Sequence, residues 1–284
     1  MESIIAAATN TNRLDKSKNE DCHLAKEIKE LSSSIILVAD GVGSCKYAQV
    51  SSRTVAGSFI SQIENLKEID KIDFYNFFEI ARKELIKLKG DGKEGDGLYG
   101  TTLIALIETD RKIKIAYVGN GAIWHIRGGF SSQYPWNAVN LLNPHNITNS
   151  QGKAVFYQSF SDKPNIDCTP TVMEIEKDDI QGDIFMVCSD GIYTEDEREV
   201  CKDANELPLV MIEKAIQEFF VHLKGFFMGV GPYTNDKLEE TLKKYLDKIH
   251  PELEDDATLG VLITKTAIDY QSNIRQQDED HKRN

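Results

Sequence analysis

Short apolar runs alternate along this chain with stretches of helical spacing. Ile35-Ile36-Leu37-Val38-Ala39 is unbroken and ends in Asp40-Gly41, which predicts a buried strand over residues 34–40. Val50, Val55, Phe59 and Ile63 recur at helical spacing between about residues 47 and 66, and residues 74–88 repeat that pattern. A Gly- and Asp-rich loop follows at 90–100. Strands are then predicted over 101–108, 112–118 and 122–127, with turn signals at Thr109-Asp110 and Gly119-Asn120-Gly121. A second buried run, 183–189, also ends in Asp-Gly (Asp190-Gly191). Helices over 208–227 and 236–249 and a last strand over 258–265 complete the pattern. Two helices separate the first strand from the next group, so a simple βαβ repeat does not fit. Two packed sheets with helices outside them do.

The charge balance narrows the classes. Lys plus Arg number 33 and Asp plus Glu 46, so the formal charge is 33 − 46 = −13 over 284 residues. Such a chain has no general attraction for nucleic-acid phosphates or anionic lipid, so neither partner is expected. No apolar run reaches the roughly 18 to 20 residues of a membrane span. Met1 to Ala8 lacks the basic region of a signal peptide. Five cysteines, an odd count without C-x-x-C spacing, argue against a disulfide framework or structural zinc and for a reducing cytoplasm. We expect one domain over 1–268 and a polar, disordered tail over 269–284.

The chemistry lies in acidic groups beside apolar runs. Asp40-Gly41 and Asp190-Gly191 end buried strands, Asp255-Asp256 precedes another, and Asn19-Glu20-Asp21 precedes a possible strand near the N-terminus. Carboxylates at strand ends are costly unless compensated, and carboxylates that converge need a cation. An oxygen-only ligand set selects a hard ion, Mg²⁺ or Mn²⁺. Any one Asp-Gly pair is more simply a turn; four acidic clusters in one chain add weight to the ligand reading without deciding it. Two other hydrolytic chemistries fail on the string. A cysteine enzyme needs Arg six positions after Cys, and Ile28, Ser51, Glu174, Thr194 and Leu207 stand there. An aspartyl-phosphate enzyme of the haloacid-dehalogenase type needs a second Asp two positions on, where Val42 and Ile192 stand. Residues 90–97 match neither a P-loop nor an EF-hand and read as a connector. The stripe Phe219, Phe220, Leu223, Phe226, Phe227 reads as helix packing.

The series Asn19-Glu20-Asp21, Asp40-Gly41-Val42-Gly43, Gly100-Thr101-Thr102, Gly119-Asn120-Gly121, Ser189-Asp190-Gly191 and Asp255-Asp256-Ala257-Thr258 resembles the metal-dependent serine/threonine protein phosphatases of type 2C. The likeness spans roughly residues 5–266, and Val38 to Tyr47 resembles the bacterial branch. It implies an α+β fold, a four-layer α-β-β-α sandwich of two antiparallel sheets flanked by helices. It also implies a two-ion Mn²⁺ or Mg²⁺ site. By resemblance Asp40 bridges both ions, the Gly41 carbonyl and Glu20 (through water) serve one, and Asp190 and Asp255 serve the other. Asp21 orients water, and Asp256 ranks below Asp255. The implied reaction is hydrolysis of phosphoserine or phosphothreonine in a protein by a metal-activated water attacking in line, opposing a cognate serine/threonine kinase.

Three departures bear on this expectation. Lys16, with Arg13 nearby, stands where the family commonly has a phosphate-binding Arg, and a lysine is a point charge without the bidentate fork. Val42 leaves vacant a place where some relatives carry His. Asn120 replaces an Asp that helps hold a third ion in bacterial relatives, so a third ion is not expected. The stretch from about 143 to 165 falls where the family has a flap and is expected to shape substrate access. The alternative reading is a catalytically weak or inactive phosphatase-like binding module.

Overall fold

The computed structural model describes residues 2–12, 18–89, 96–130, 137–151, 154–194, 200–202, 208–210 and 214–283. The chain begins with strands β1 (Ile4–Asn10), β2 (Cys22–Ile28) and β3 (Ser33–Ala39), then helices α1 (Ala48–Glu64) and α2 (Phe74–Lys87). Strands β4 (Gly100–Thr101), β5 (Leu103–Glu108), β6 (Lys112–Val118), β7 (Ala122–Arg127) and β8 (Asn137–Asn140) follow. Next come β9 (Asn146–Thr148), β10 (Ala154–Tyr157), β11 (Phe160–Ser161), β12 (Thr171–Glu176) and β13 (Ile184–Cys188). The last elements are β14 (Val200–Lys202), β15 (Pro208–Val210), α3 (Lys214–Met228), α4 (Asn235–Ile249), β16 (Ala257–Ile263) and α5 (Lys265–Arg283).

Two five-stranded antiparallel sheets form the centre, in the orders β1-β16-β13-β7-β8 and β12-β6-β5-β3-β2. Their apolar runs are continuous because each sheet is covered on both faces. In β3, Ile36 and Val38 face the other sheet, while Ile35, Leu37 and Ala39 face Val55 and Phe59 of α1 and Phe78 of α2. In β13, Phe185 and Val187 face inwards, and Ile184, Met186 and Cys188 pack against α3 and α4. Three apolar layers thus separate four structural ones, and the two-sheet architecture expected from the sequence is present.

Several expectations need correction. The helix expected from residue 208 begins only at Lys214; Pro208–Val210 instead pairs antiparallel with Val200–Lys202. A proline without an amide hydrogen suits the start of a short strand better than a helix interior. The tail expected to be disordered from residue 269 is helical as far as Arg283. Ile268 and Gln271 are buried on its inner face, and Gln271 accepts a hydrogen bond from the Phe130 amide (2.9 Å) and donates to the Gly128 carbonyl (2.8 Å). Lys265, Asp269, Asn273, Gln276 and Gln277 are exposed on its other side. Strand β12, not foreseen, is an edge strand only partly buried, so its apolar signal is weak. The phenylalanine stripe of α3 is buried against α4 and α5 as expected. Among the described residues no helix is long and apolar enough to cross a membrane.

Candidate active site

Antiparallel register gathers the acidic clusters. Cys22 pairs with Ala39, so Asp21 and Asp40 leave β2 and β3 at the same end. Cys188 pairs with both Leu259 and Ala122, so Asp190, Asp255 and the Asn120 turn share the matching end of the other sheet. A cleft of about 540 Å³ opens there, with Asp40, Asp190, Asp255 and Asn120 among its lining residues.

The backbone around Asp40 is pinned. Its carbonyl accepts from the Thr102 amide (2.8 Å) and the Thr101 hydroxyl (2.8 Å), and its amide donates to Thr102 Oγ1 (3.1 Å). That is the structural work of Gly100-Thr101-Thr102. Both Asp-Gly glycines stand where no side chain fits. A Cβ on Gly41 would lie 2.7 Å from the backbone of Ala48 and of Glu20, and one on Gly191 would lie 2.0 Å from the Asp256 carbonyl oxygen. Close approach of neighbouring backbone, more than turn formation, requires glycine here.

Asp21 is 5% exposed and bridges the two sheets, accepting from the Ser189 hydroxyl at 2.9 Å. Asp256 is buried too, and its carboxylate is already committed. It accepts from the Asn12 amide (2.9 Å), the Asn12 side chain (3.3 Å) and the Glu20 amide (2.7 Å). It therefore fixes the backbone of Glu20, whose Oε2 lies beside Gly43. Asn120 donates from Nδ2 to Asp190 Oδ2 at 2.6 Å, so its amide is engaged with a carboxylate.

The electrostatics record crowded like charges. Burial, together with the nearby charges of Asp21 and Asp190, pushes the Asp40 carboxyl well above its ordinary range. Burial raises Asp21 to about 8 against opposing hydrogen bonds, and burial with repulsion from Asp190 and Asp256 raises Asp255. Asp190 Oδ1 and Asp21 Oδ1 are buried without hydrogen-bond partners. Orphaned carboxylate oxygens amid like charges are the donor set a hard divalent cation satisfies. Among the described residues no group of three His, Cys, Asp or Glu side chains stands arranged to hold a metal ion. The carboxylates line one cleft from separate strand ends but remain an open set.

Lys16 and Arg13, the expected phosphate ligands, lie outside the described residues. Sequence reading assigned no role to Ser189 or the Thr101-Thr102 pair, although both were legible as small hydroxyls flanking the acidic motifs. It also missed Lys163, which lines the cleft.

A model of the protein phosphatase 2C family matches residues 11–247. The chain belongs to the protein phosphatase 2C family. Solved structures agree at the level of the fold. Serine/threonine phosphatase Stp1 from Staphylococcus aureus aligns with a TM-score of 0.62 at 17% identity, covering 93% of this chain and 95% of that one. The Mycobacterium tuberculosis serine/threonine phosphatase PstP/Ppp aligns with a TM-score of 0.60 at 15% identity, covering 93% and 99%. A PstP catalytic domain in complex with two manganese ions aligns with a TM-score of 0.58 at 16% identity, covering 92% and 98%. No curated protein matches the sequence.

Proposed function

We propose that this member of the 2C family is a Mn²⁺- or Mg²⁺-dependent phosphatase of phosphoserine and phosphothreonine in proteins. The observation that supports it most is the convergence of Asp40, Asp190 and Asp255 on one cleft, with Asp190 Oδ1 and Asp21 Oδ1 buried and unpartnered. Asp40, Asp190, Asp255 and the Gly41 carbonyl would hold the ions, with Glu20 acting through water. Bound there, two such ions supply an activated water and neutralise phosphoryl oxygens.

The chain's own residues do the positioning. Thr101 and Thr102 fix the Asp40 backbone, Asn120 holds one oxygen of Asp190 and leaves the other available to an ion, and Ser189 holds Asp21, which would orient the water. The reaction consumes one water, breaks the phosphorus–oxygen ester bond, and releases the Ser or Thr alcohol and inorganic phosphate. The protein would act in a reducing cytoplasm, opposing a serine/threonine kinase. The open geometry of the carboxylates favours one second reading, a weak or inactive binding module of the same fold.

Release of phosphate from a phosphothreonine peptide with Mn²⁺, and with EDTA as control, separates the two. The enzyme reading expects turnover abolished by EDTA. It further expects Asp190→Asn to lose at least about 100-fold in kcat/KM, since even supporting residues of metal sites are worth roughly 10- to 100-fold. A folded wild type with no Mn²⁺-dependent turnover would leave the binding module.

A further inference from the structure

Lys163 stands out from the cleft. Among the described residues lining it, Asp40, Asp190 and Asp255 are the acids and Lys163 is the single base. Its side chain is exposed, and its ammonium forms no ion pair with a described residue.

The backbone that carries Lys163 is clamped from several sides. Immediately before it, Phe160 and Ser161 pair with Thr101 and Gly100, the segment that also pins Asp40. The Lys163 amide donates to Ser161 Oγ (3.1 Å), and Arg82 of α2 donates to the carbonyls of Lys163 (3.0 Å) and Pro164 (3.4 Å). The neighbouring Asp162 is buried, and its Oδ1 accepts from the amides of Gly97 (2.9 Å) and Tyr99 (3.4 Å). The Lys163 stem then crosses Gly97. A Cβ there would stand 2.2 Å from Lys163 Cε and 2.9 Å from Nζ, and Gly97 adopts a φ of +83° that favours glycine. The chain thus leaves an open track along which one lysine reaches the mouth of an acidic cleft.

We propose that Lys163 forms an anion subsite at the cleft rim, binding an acidic side chain adjacent to the scissile phosphorylated residue of a polypeptide substrate. The proposal rests on the phosphatase reading and narrows its substrates to phosphosites with acidic neighbours. In that reading the carboxylate floor would hold the ions that take the phosphoryl group, which leaves the exposed rim cation for the polypeptide around it. Exposed ion pairs of this kind are weak and salt-screened, so the effect is a preference among substrates.

The test compares three substrates with the full chain at saturating Mn²⁺: p-nitrophenyl phosphate, a phosphothreonine peptide with Glu neighbours, and the same peptide with Gln neighbours. Lys163→Ala should raise KM for the Glu peptide about threefold to fivefold, the scale of an exposed ion pair. kcat, the Gln peptide and p-nitrophenyl phosphate should be unchanged. Lys163→Arg should restore the preference, Lys163→Glu should reverse it, and 0.5 M salt should erase it. Equal losses on all three substrates would overturn the proposal, because Lys163 would then contact the phosphoryl group or merely support the fold. No loss on any would also overturn it. Fluorescence anisotropy with a labelled, non-hydrolysable phosphonate analogue of the Glu peptide keeps the two readings apart. An inactive protein that binds this analogue through Lys163 refutes the phosphatase reading and retains the subsite. An active protein indifferent to Lys163 refutes the subsite alone.

Discussion

Gly260, in the middle of β16, sets the distance between the two sheets. A Cβ at this position would stand 2.2 Å from Ile36 Cγ2 of β3, 3.4 Å from Val187 Cγ2 and 3.5 Å from Ile36 Cβ. Ordinary contact begins at 3.4 Å, so Gly260→Ala must find 3.4 − 2.2 = 1.2 Å of relief. Ile36 cannot supply it by changing rotamer, because it is fully buried and branched at Cβ. The sheets must therefore part. Overpacking of this kind costs about 2 kcal/mol, which lowers the melting temperature by roughly 4 to 8 °C in a chain of this size. Ile36→Ala alone creates a cavity and costs about 2 to 5 kcal/mol. In the double variant the new methyl group occupies part of that cavity. Urea unfolding should then show the pair at least about 1 kcal/mol more stable than the sum of the single changes predicts. Because β3 and β16 carry Asp40 and Asp255 at their ends, Gly260→Ala should also reduce stabilisation by Mn²⁺. Strict additivity, or a Gly260→Ala variant as stable as wild type, would refute the close approach of the sheets.

Three further outcomes are expected. Saturating Mn²⁺ should stabilise the native state by mass action, by about 2.7 kcal/mol at one hundred times Kd, and so raise the melting temperature; an unchanged calorimetric transition would contradict a preformed site. Asn120→Asp should lower stability without metal, since it sets a second carboxylate against Asp190 Oδ2 at the 2.6 Å contact, and should steepen the Mn²⁺ dependence of stability; equal stability with EDTA would show that Asn120 does not hold Asp190. The third outcome concerns Asp183, which is fully buried, receives hydrogen bonds from His125 (2.7 Å), Arg127 (2.7 Å) and the Asp178 amide (2.7 Å), and lies below its ordinary pKa because these bonds outweigh the opposing effect of burial. Its contribution is then present in full above the unfolded value near 4 and lost as pH falls through the depressed folded value. Asp183→Asn should cost about 3 kcal/mol at pH 7 and progressively less below pH 4 in denaturant titrations; a gap independent of pH would sink this account.

The fold was readable where burial leaves a simple trace. Asp40 and Asp190 were visible because an acid ending an apolar run is costly without a partner. The helices α1, α2 and α4 were visible through their spacing. Helix α5 was hidden because polar residues dominate its composition, and among its described residues the fully docked ones are few, Ala267, Ile268 and Gln271.

The sequence by itself determined which side chains carry charge next to strands, and hence that a divalent-cation chemistry and a two-sheet sandwich were the readings to pursue. Tertiary structure alone decided which of them meet. Asp256, adjacent to Asp255 in the chain, spends its carboxylate on Asn12 and Glu20, while Asp255 faces the cleft. Lys163 reaches that same cleft from the stretch expected to shape substrate access, but nothing in the sequence singles out this lysine within it. The physical reason is that pairing register and backbone clamps fix the direction of a side chain, and both depend on residues distant in the chain: Asn12 lies 244 positions from Asp256, and Arg82 lies 81 from Lys163.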